Sequence, residues 1–171
     1  KGLAWACKKS NCVLIGGETA QMPGIYIKGE YDLGGCIIGV VEENKIIDGK
    51  SISPGDKIIG LASTGLHTNG YSLARKLLFE EKKYKATTYL SELKCTIGEE
   101  LLKTHKSYLT SVMHLLNSKF KIKAMAHITG GGFPGNISRI LPSGLNAVLK
   151  KDSWIIPPIF KFLQKTGKIS D

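Results

Sequence analysis

The chain has 171 residues, of which 42% are hydrophobic and 22% are charged, a composition that excludes a disordered or repetitive protein. Its net charge of +10 comes almost entirely from lysines, because Arg75 and Arg139 are its two arginines, and this disfavours nucleic-acid readers that depend on the arginine fork. No apolar run approaches the roughly 20 residues of a membrane helix. We therefore expect a cytoplasmic protein with neither a membrane nor a nucleic-acid partner.

The ends of the chain and its cysteines give two further expectations. The first residues resemble the last turns of an amphipathic helix, and the chain stops just after a helix stop signal at Gly167, so we expect part of a longer protein. The four cysteines form no C-x-x-C pair and no zinc-type spacing with histidine, which predicts free thiols.

The elements alternate along the chain. Apolar runs predict β-strands at residues 12–16, 31–42, 57–62, 122–128 and 145–149. The Ser53-Pro54-Gly55-Asp56 segment predicts a tight turn. Helical periodicity predicts one helix that opens at Asn69-Gly70 and others at residues 108–116, 136–141 and 157–166, with inward apolar stripes on the first two. This alternation predicts an α/β (α+β) class, with a domain boundary between residues 45 and 46 and ligands at the carboxyl ends of parallel strands.

The first polar motif, Gly16-Gly17-Glu18-Thr19, follows a predicted strand directly. A carboxylate at a rigid strand exit suits a Mg²⁺ ligand, because magnesium takes one or two carboxylates together with substrate phosphate oxygens and water. The alternative is that Glu18 only caps its own turn through Thr19 and backbone N–H groups.

The second motif, residues 61–71, is also a strand exit before a helix. Its hydroxyl, glycine and amide groups can face a ligand, and they belong to Ser63, Thr64, Gly65, Thr68 and Asn69. Asn69 is the expected N-cap, and His67 is the group there whose charge can change near neutral pH. The alternative for His67 is a surface hydrogen-bonding role.

The third motif runs from His127 to Asn136 and contains Gly130-Gly131-Gly132. Bare backbone N–H groups before a helix can cradle a phosphate or carboxylate, which points to Thr129, the three glycines and Asn136 as ligand-binding residues. A structural turn would use the same glycines. His127 itself is expected to be a structural histidine within a strand, and His105 and His114 carry no signal.

Taken in order, the three motifs resemble the phosphoribosylformylglycinamidine cyclo-ligase (aminoimidazole ribonucleotide synthetase) family. Relatives of that fold carry Gly-Gly-Asp-Thr at the first motif, whereas this chain has Gly-Gly-Glu-Thr followed by Met22-Pro23-Gly24, which favours the cyclo-ligase. The resemblance implies ATP-dependent ring closure of formylglycinamidine ribonucleotide to aminoimidazole ribonucleotide, with release of ADP and phosphate. The alternative is another ATP-dependent enzyme of the superfamily, similar to selenophosphate synthetase or formylglycinamidine ribonucleotide synthetase.

The resemblance also implies an organisation and roles for residues. Residues 1–45 would be the tail of an N-terminal ATP-binding and dimerisation domain, and residues 46–171 most of a C-terminal domain, within a cytoplasmic homodimer that uses ATP and Mg²⁺. Glu18 would bind Mg-ATP with Gly17 and Thr19, and the triple glycine would receive a phosphate. His67 and its loop would contact the amidine substrate, with His67 as the proton-transfer candidate. The chain alone is expected to be inactive.

Overall fold

The computed structural model describes residues 1–170, which divide into two compact units, Lys1–Ile46 and Ile47 onward. The first unit begins with the predicted amphipathic helix, α1 (Gly2–Lys9), and ends with a 3₁₀ turn at Glu43–Lys45. Lys8 and Lys9 occupy the last turn of α1, where a positive charge stabilises the negative end of the helix. No residue of α1 is buried, and Leu3 and Trp5 are exposed.

The two strands predicted in the first unit do not form. Residues 12–16 and 31–42 lie outside regular structure, and Ile15 and Val40 are 86% and 100% exposed. The physical reason is that a strand makes its hydrogen bonds to another strand, whereas a helix makes them internally. The apolar alternation of these segments is therefore present without a partner among residues 1–170.

The second unit contains most of the regular structure. In chain order its elements are α2 (Tyr71–Arg75), a π-helical continuation (Lys76–Glu81), β1 (Tyr89–Leu90), β2 (Cys95–Thr96), α3 (Ile97–Leu101), α4 (Leu109–Leu116), α5 (Gly132–Ile137), a 3₁₀ turn (Lys151–Ser153) and α6 (Pro158–Gly167). β1 and β2 pair antiparallel, with Tyr89 opposite Thr96 and Leu90 opposite Cys95. Helices and strands occur together, in keeping with the predicted α/β (α+β) class, but the sheet is antiparallel rather than parallel.

One hydrophobic core lies in this unit, between the α2 segment, the hairpin, α3 and α6. Its buried side chains are Ala74, Leu77, Leu78, Leu90, Leu93, Ile97, Ile159 and Leu163. The predicted helix at residues 71–78 is confirmed, because Ala74, Leu77 and Leu78 point into this core. The predicted final helix is also confirmed as α6, with proline at its first position.

The hairpin passes directly into α3 through a capping box. The Thr96 hydroxyl accepts a hydrogen bond from the Glu99 N–H at 3.2 Å, and the Glu99 carboxylate accepts one from the Thr96 N–H at 2.8 Å. These reciprocal bonds satisfy groups that the first helical turn leaves without partners. They place Glu100 in the interior, where it pairs with Lys103 at 2.6 Å.

The Ser53–Asp56 turn is present as predicted. The Asp56 N–H donates to the Ser53 carbonyl at 3.2 Å, and the Asp56 carboxylate accepts from the Ser53 N–H at 2.8 Å. Lys123 joins this turn from a distant part of the chain, with its Nζ 2.6 Å from Asp56. That hydrogen bond and charge lower the pKa of Asp56 below its ordinary value.

Five other expectations for this unit are corrected. Residues 57–62, 122–128 and 145–149 form no strand, again because no neighbouring strand pairs with them in the described chain. α4 forms, but its expected inward stripe is not buried: Leu109 is 41% exposed and Met113 45%. The short helix expected at residues 136–141 begins earlier, at Gly132.

The longest α-helix among the described residues, α6, has 10 residues, and none of their helices is long and apolar enough to cross a bilayer. The four cysteines are free, as predicted.

Candidate functional site

The His67 loop, residues 62–70, is anchored on the hydrophobic core at its centre. Leu66 packs against the core cluster, and Gly65 is buried beside it. At the far end of the loop, the Tyr71 hydroxyl donates to the Leu101 carbonyl at 2.8 Å. The core therefore holds Leu66 before His67, and the hydrogen bond of Tyr71 holds the end of the loop after it. The imidazole of His67 is half-buried between these two supports.

A second segment, residues 101–108, lies along this loop. The Thr64 hydroxyl donates to the Thr104 carbonyl at 3.2 Å, and the Tyr108 hydroxyl donates to the Ala62 carbonyl at 3.2 Å. These bonds join residues 40 and 46 positions apart in the chain. The loop is consequently held from two sides rather than by its own turn alone.

Three histidine rings meet where these segments converge. The rings of His67 and His105 stack with their centroids 4.0 Å apart and their planes at 24°. The His127 ring lies 5.8 Å from that of His105. Tyr108 closes one side, with its ring 6.2 Å from His67 and 6.4 Å from His105. We call these four residues the histidine cluster.

His67 has the backbone conformation and electrostatic surroundings of a constrained group. Its φ of 56° lies in the left-handed region, which side chains other than Asn, Asp and His rarely adopt. Burial lowers the pKa of His67 below its ordinary value of 6.5, and electrostatic interactions with His105, His127 and Lys106 lower it further. Each of these effects favours the neutral imidazole at pH 7.

The glycine loop, residues 129–136, is held by its own side chains. The Thr129 hydroxyl donates to Asn136 Oδ1 at 2.9 Å, and Asn136 Nδ2 donates to the Gly132 carbonyl at 2.8 Å. Asn136 is 6% exposed, so these bonds satisfy a buried amide. Gly132 has a φ of +61°, a left-handed conformation that favours glycine at this position. Its N–H donates to the Thr129 carbonyl at 2.9 Å.

The remaining two glycines are open to solvent. Gly130 and Gly131 are exposed, and a Cβ added at Gly130 would meet no atom within 4 Å. A Cβ at Gly131 would lie 3.3 Å from the Gly135 Cα. The free approach to the main chain is therefore at Gly130, whereas Gly131 and Gly132 also shape the turn.

The structure brings together some of the residues expected at the site. His127 lies two residues before the glycine loop in the chain, so its contact with His105 links the start of that loop to His67. Thr64 contacts His67 Nε2 through its N–H and its hydroxyl, both at 3.0 Å. Thr64 and Thr68 are exposed, and Ser63 and Asn69 are half-buried on either side of His67. Asn69 is not the N-cap that the sequence predicts, because Gly70, with a φ of 83°, occupies that position and no side chain caps the helix.

Two histidines differ from their sequence-based interpretation. His127 is exposed and lies outside any strand, so it is not the packed structural histidine that was expected. His105 carried no signal in the sequence, yet it is the ring that contacts both other histidines. His105 is identified only by its proximity to His67 in the structure, because it lies 38 positions from His67 in the sequence and belongs to no motif.

Gly17, Glu18 and Thr19 lie in the first unit and are exposed. Glu18 contributes one carboxylate, and residues 1–170 contain no group of three or more His, Cys, Asp or Glu side chains that could hold a metal ion. These residues do not form a complete magnesium site by themselves.

Comparison with known proteins places the chain in a family. Residues 53–169 match the family of AIR synthase related proteins, C-terminal domain. The chain is 52% identical over all 171 residues to a phosphoribosylformylglycinamidine cyclo-ligase from Thermodesulfovibrio yellowstonii, covering 50% of that protein. Over 169 residues, 99% of the chain, it is 52% identical to the enzyme of the same name from Alkaliphilus metalliredigens and 53% identical to that from Pseudothermotoga lettingae, covering 48% and 49% of them.

The chain thus spans about half the length of the curated relatives that it matches. The family match extends from the Ser53–Asp56 turn through the His67 loop, the histidine cluster and the glycine loop to the end of α6. The chain belongs to the family of AIR synthase related proteins and carries the C-terminal domain of that family over residues 53–169.

Proposed function

We propose that the chain supplies part of the active site of a phosphoribosylformylglycinamidine cyclo-ligase, which closes the imidazole ring of aminoimidazole ribonucleotide at the expense of ATP. The observation that carries this proposal is the 52% identity to an enzyme of that name along the entire chain. The cytoplasm, where small nucleotide precursors are made, is the proposed location.

The reaction requires two anions to be held in line. ATP phosphorylates the formamide oxygen of formylglycinamidine ribonucleotide, which leaves ADP. An internal nitrogen of the substrate then attacks the formamide carbon, and the bond from this carbon to the phosphorylated oxygen breaks, so that phosphate leaves and the ring closes. Phosphoryl transfer depends mainly on positioning and on neutralising charge. Basic and hydrogen-bonding groups near the histidine cluster suit this task, and Lys106 is one of the positive charges there.

We assign the roles as follows. The open backbone at Gly130 and Gly131 receives a phosphate, with Thr129, Gly132 and Asn136 shaping that loop. The His67 loop, with Ser63, Thr64, Gly65, Thr68 and Asn69, contacts the amidine substrate, and His67 provides the polar group nearest the reacting atoms. His67 is catalytic in this proposal because it touches substrate.

Glu18 is proposed to bind Mg-ATP, with Gly17 and Thr19 orienting the nucleotide. When bound, magnesium would neutralise charge on the phosphates. Because Glu18 is a single carboxylate, the other ligands have to be phosphate oxygens, water or groups outside this chain. The homodimer is proposed from the unpartnered apolar segments of residues 31–42, which include Val40 at 100% exposure.

The test is a chimera in which this chain replaces the matching residues of the Thermodesulfovibrio yellowstonii relative. ADP release is measured with and without formylglycinamidine ribonucleotide, after circular dichroism and size-exclusion chromatography have shown a folded protein. We expect ADP release that depends on this substrate and falls strongly in the Glu18→Gln variant. A folded chimera that releases ADP only with another acceptor contradicts the proposed substrate.

A further inference from the structure

His67 Nε2 is surrounded by groups that donate hydrogen bonds. The Thr64 N–H donates to it at 3.0 Å, and the Lys106 N–H approaches it at 3.5 Å. The Thr64 hydroxyl also lies 3.0 Å away. A backbone N–H can only donate, so these two amides fix the role of Nε2 as an acceptor without a proton.

A proton on Nε2 would face the Thr64 N–H at close range. It would also add a positive charge close to Lys106 and to the rings of His105 and His127, which come from two other parts of the chain. The ring of Tyr108 also lies beside His67, and burial raises the pKa of its hydroxyl further above its ordinary value of 10, so it is neutral at pH 7. Among residues 1–170, the electrostatic interactions that shift the pKa of His67 are those with His105, His127 and Lys106, and all three disfavour the imidazolium form.

We propose that His67 works as a neutral imidazole with its proton on Nδ1, held in that form by the backbone amides of Thr64 and Lys106, and that it donates a hydrogen bond to substrate instead of accepting a proton. This inference rests on the proposed function for its substrate, although the tautomer itself does not. Thr64 and Lys106 are positioning residues, because they act through the His67 ring.

The chemistry that such a donor recognises is an oxygen that gains negative charge. In the proposed reaction this is the formamide oxygen or a phosphate oxygen that develops charge as the bond to it changes. Because the pKa of His67 is lowered, the ring is neutral at pH 7 and keeps a single N–H, on Nδ1. This N–H can donate a hydrogen bond that stabilises the charge as it develops on such an oxygen. His105 contributes by stacking on His67 at 4.0 Å, and its electrostatic interaction with His67 lowers the pKa of that ring.

The first experiment reads the tautomer directly in the unmodified chain. Long-range ¹H–¹⁵N correlation spectra of ¹⁵N-histidine protein, with the His67 signals assigned by their loss in His67→Asn, distinguish a protonated from an unprotonated ring nitrogen. We expect an unprotonated Nε2 and a protonated Nδ1 at pH 7. A proton on Nε2, or an imidazolium ion at that pH, overturns the proposal whether or not the enzyme assay succeeds.

The second experiment uses a matched pair of variants in the active chimera. Asn and Asp have nearly the same shape, both tolerate the left-handed backbone of residue 67, and only Asn offers a donor near the position of Nδ1. We expect His67→Asn to retain kcat within about tenfold, and His67→Asp to lose about 10²–10³-fold, the usual effect of removing one transition-state donor. If His67→Asp retains more activity than His67→Asn, His67 accepts a proton and the proposal is wrong.

His114→Asn, at an exposed position on α4, is the control; it should remove only the signals of His114 and leave the His67 signals and kcat unchanged. Absence of ADP release from the wild-type chimera would contradict the proposed function, while the spectra would still decide the tautomer.

Discussion

The His67 loop and the glycine loop both follow an apolar segment and precede a helix, but different contacts hold them. The side-chain hydrogen bonds of the His67 loop reach residues as far as 46 positions away, whereas those of the glycine loop span at most seven. The His67 loop is held by the core and by residues 101–108, whereas the glycine loop is held by hydrogen bonds among its own residues. A change to the core should therefore disturb the His67 loop, and a change within residues 129–136 should remain there.

The largest effect is expected from Leu78→Ala. Leu78 is completely buried in the core against which Leu66 packs, so the substitution should lower the free energy of unfolding by about 2–5 kcal/mol. Hydrogen exchange should accelerate more at the Asn69 amide than at the Gly135 amide. Urea unfolding and exchange rates measure both. Val148→Ala, at a side chain 81% exposed, is the control and should change the stability by less than about 0.5 kcal/mol.

Asn136→Ala should show the opposite pattern. It leaves the Thr129 hydroxyl and the Gly132 carbonyl without their partner, at a cost of about 1–3 kcal/mol. Exchange at the Gly132 and Gly135 amides should accelerate while the histidine signals stay in place. Asn117→Ala, at an exposed amide after α4, gives the baseline. A change in the chemical shifts of His67 in Asn136→Ala would show that the His67 loop and the glycine loop are not independent.

Gly132→Ala and Gly130→Ala separate the structural glycine from the open one. Alanine at the left-handed Gly132 should cost about 1–2 kcal/mol, whereas Gly130→Ala should leave the urea midpoint nearly unchanged. In the chimera, Gly130→Ala should instead raise KM for the ribonucleotide, because the new methyl group stands where the ligand approaches. An unchanged KM would reduce the glycine loop to a structural turn.

Tyr71→Phe tests a single long-range support of the His67 loop. Loss of the bond to the Leu101 carbonyl should cost about 0.5–1.5 kcal/mol and broaden the His67 resonances. Tyr31→Phe, at a side chain 79% exposed in the first unit, is the matched control. Equal effects of the two variants would contradict the role of the Tyr71 hydroxyl.

The smallest effect is a dependence of stability on pH. Because the pKa of His67 is lowered in the folded protein, the unfolded chain takes up this proton first as the pH falls through 6.5. Stability is thus fully present above that pH and declines below it, until the folded protein also binds the proton. The dependence of the urea midpoint on pH across this range should become weaker in His67→Asn and stay unchanged in His114→Asn. A midpoint that rises on acidification would reverse the assigned direction.

The sequence predicted what local patterns determine. The periodicity of Ala74, Leu77 and Leu78 and the proline at the start of α6 identified helices that the structure contains. Strand patterns such as Val13 to Ile15 were less informative, because pairing depends on residues elsewhere. The sequence does not predict the start of α5, because three consecutive glycines are typical of a loop, whereas Gly132 begins the helix with a left-handed φ.

The candidate site was predictable in its loops and not in its cluster. Glycine and hydroxyl residues identified the segments around His67 and Gly131 from local chemistry. His105 lies in no motif, and only the stacking on His67 shows its place. The site roles of Glu18, His67 and the glycine loop remain predictions.

The hydrogen bond from Tyr108 to the Ala62 carbonyl also has a consequence for the order of folding. Closing a loop of this length costs entropy before its contacts form, so local turns and helices precede it. His67 acquires its neighbours His105 and Lys106 only after this closure. During refolding, the imidazole of His67 should titrate like that of a free peptide until the late step in which the two segments meet.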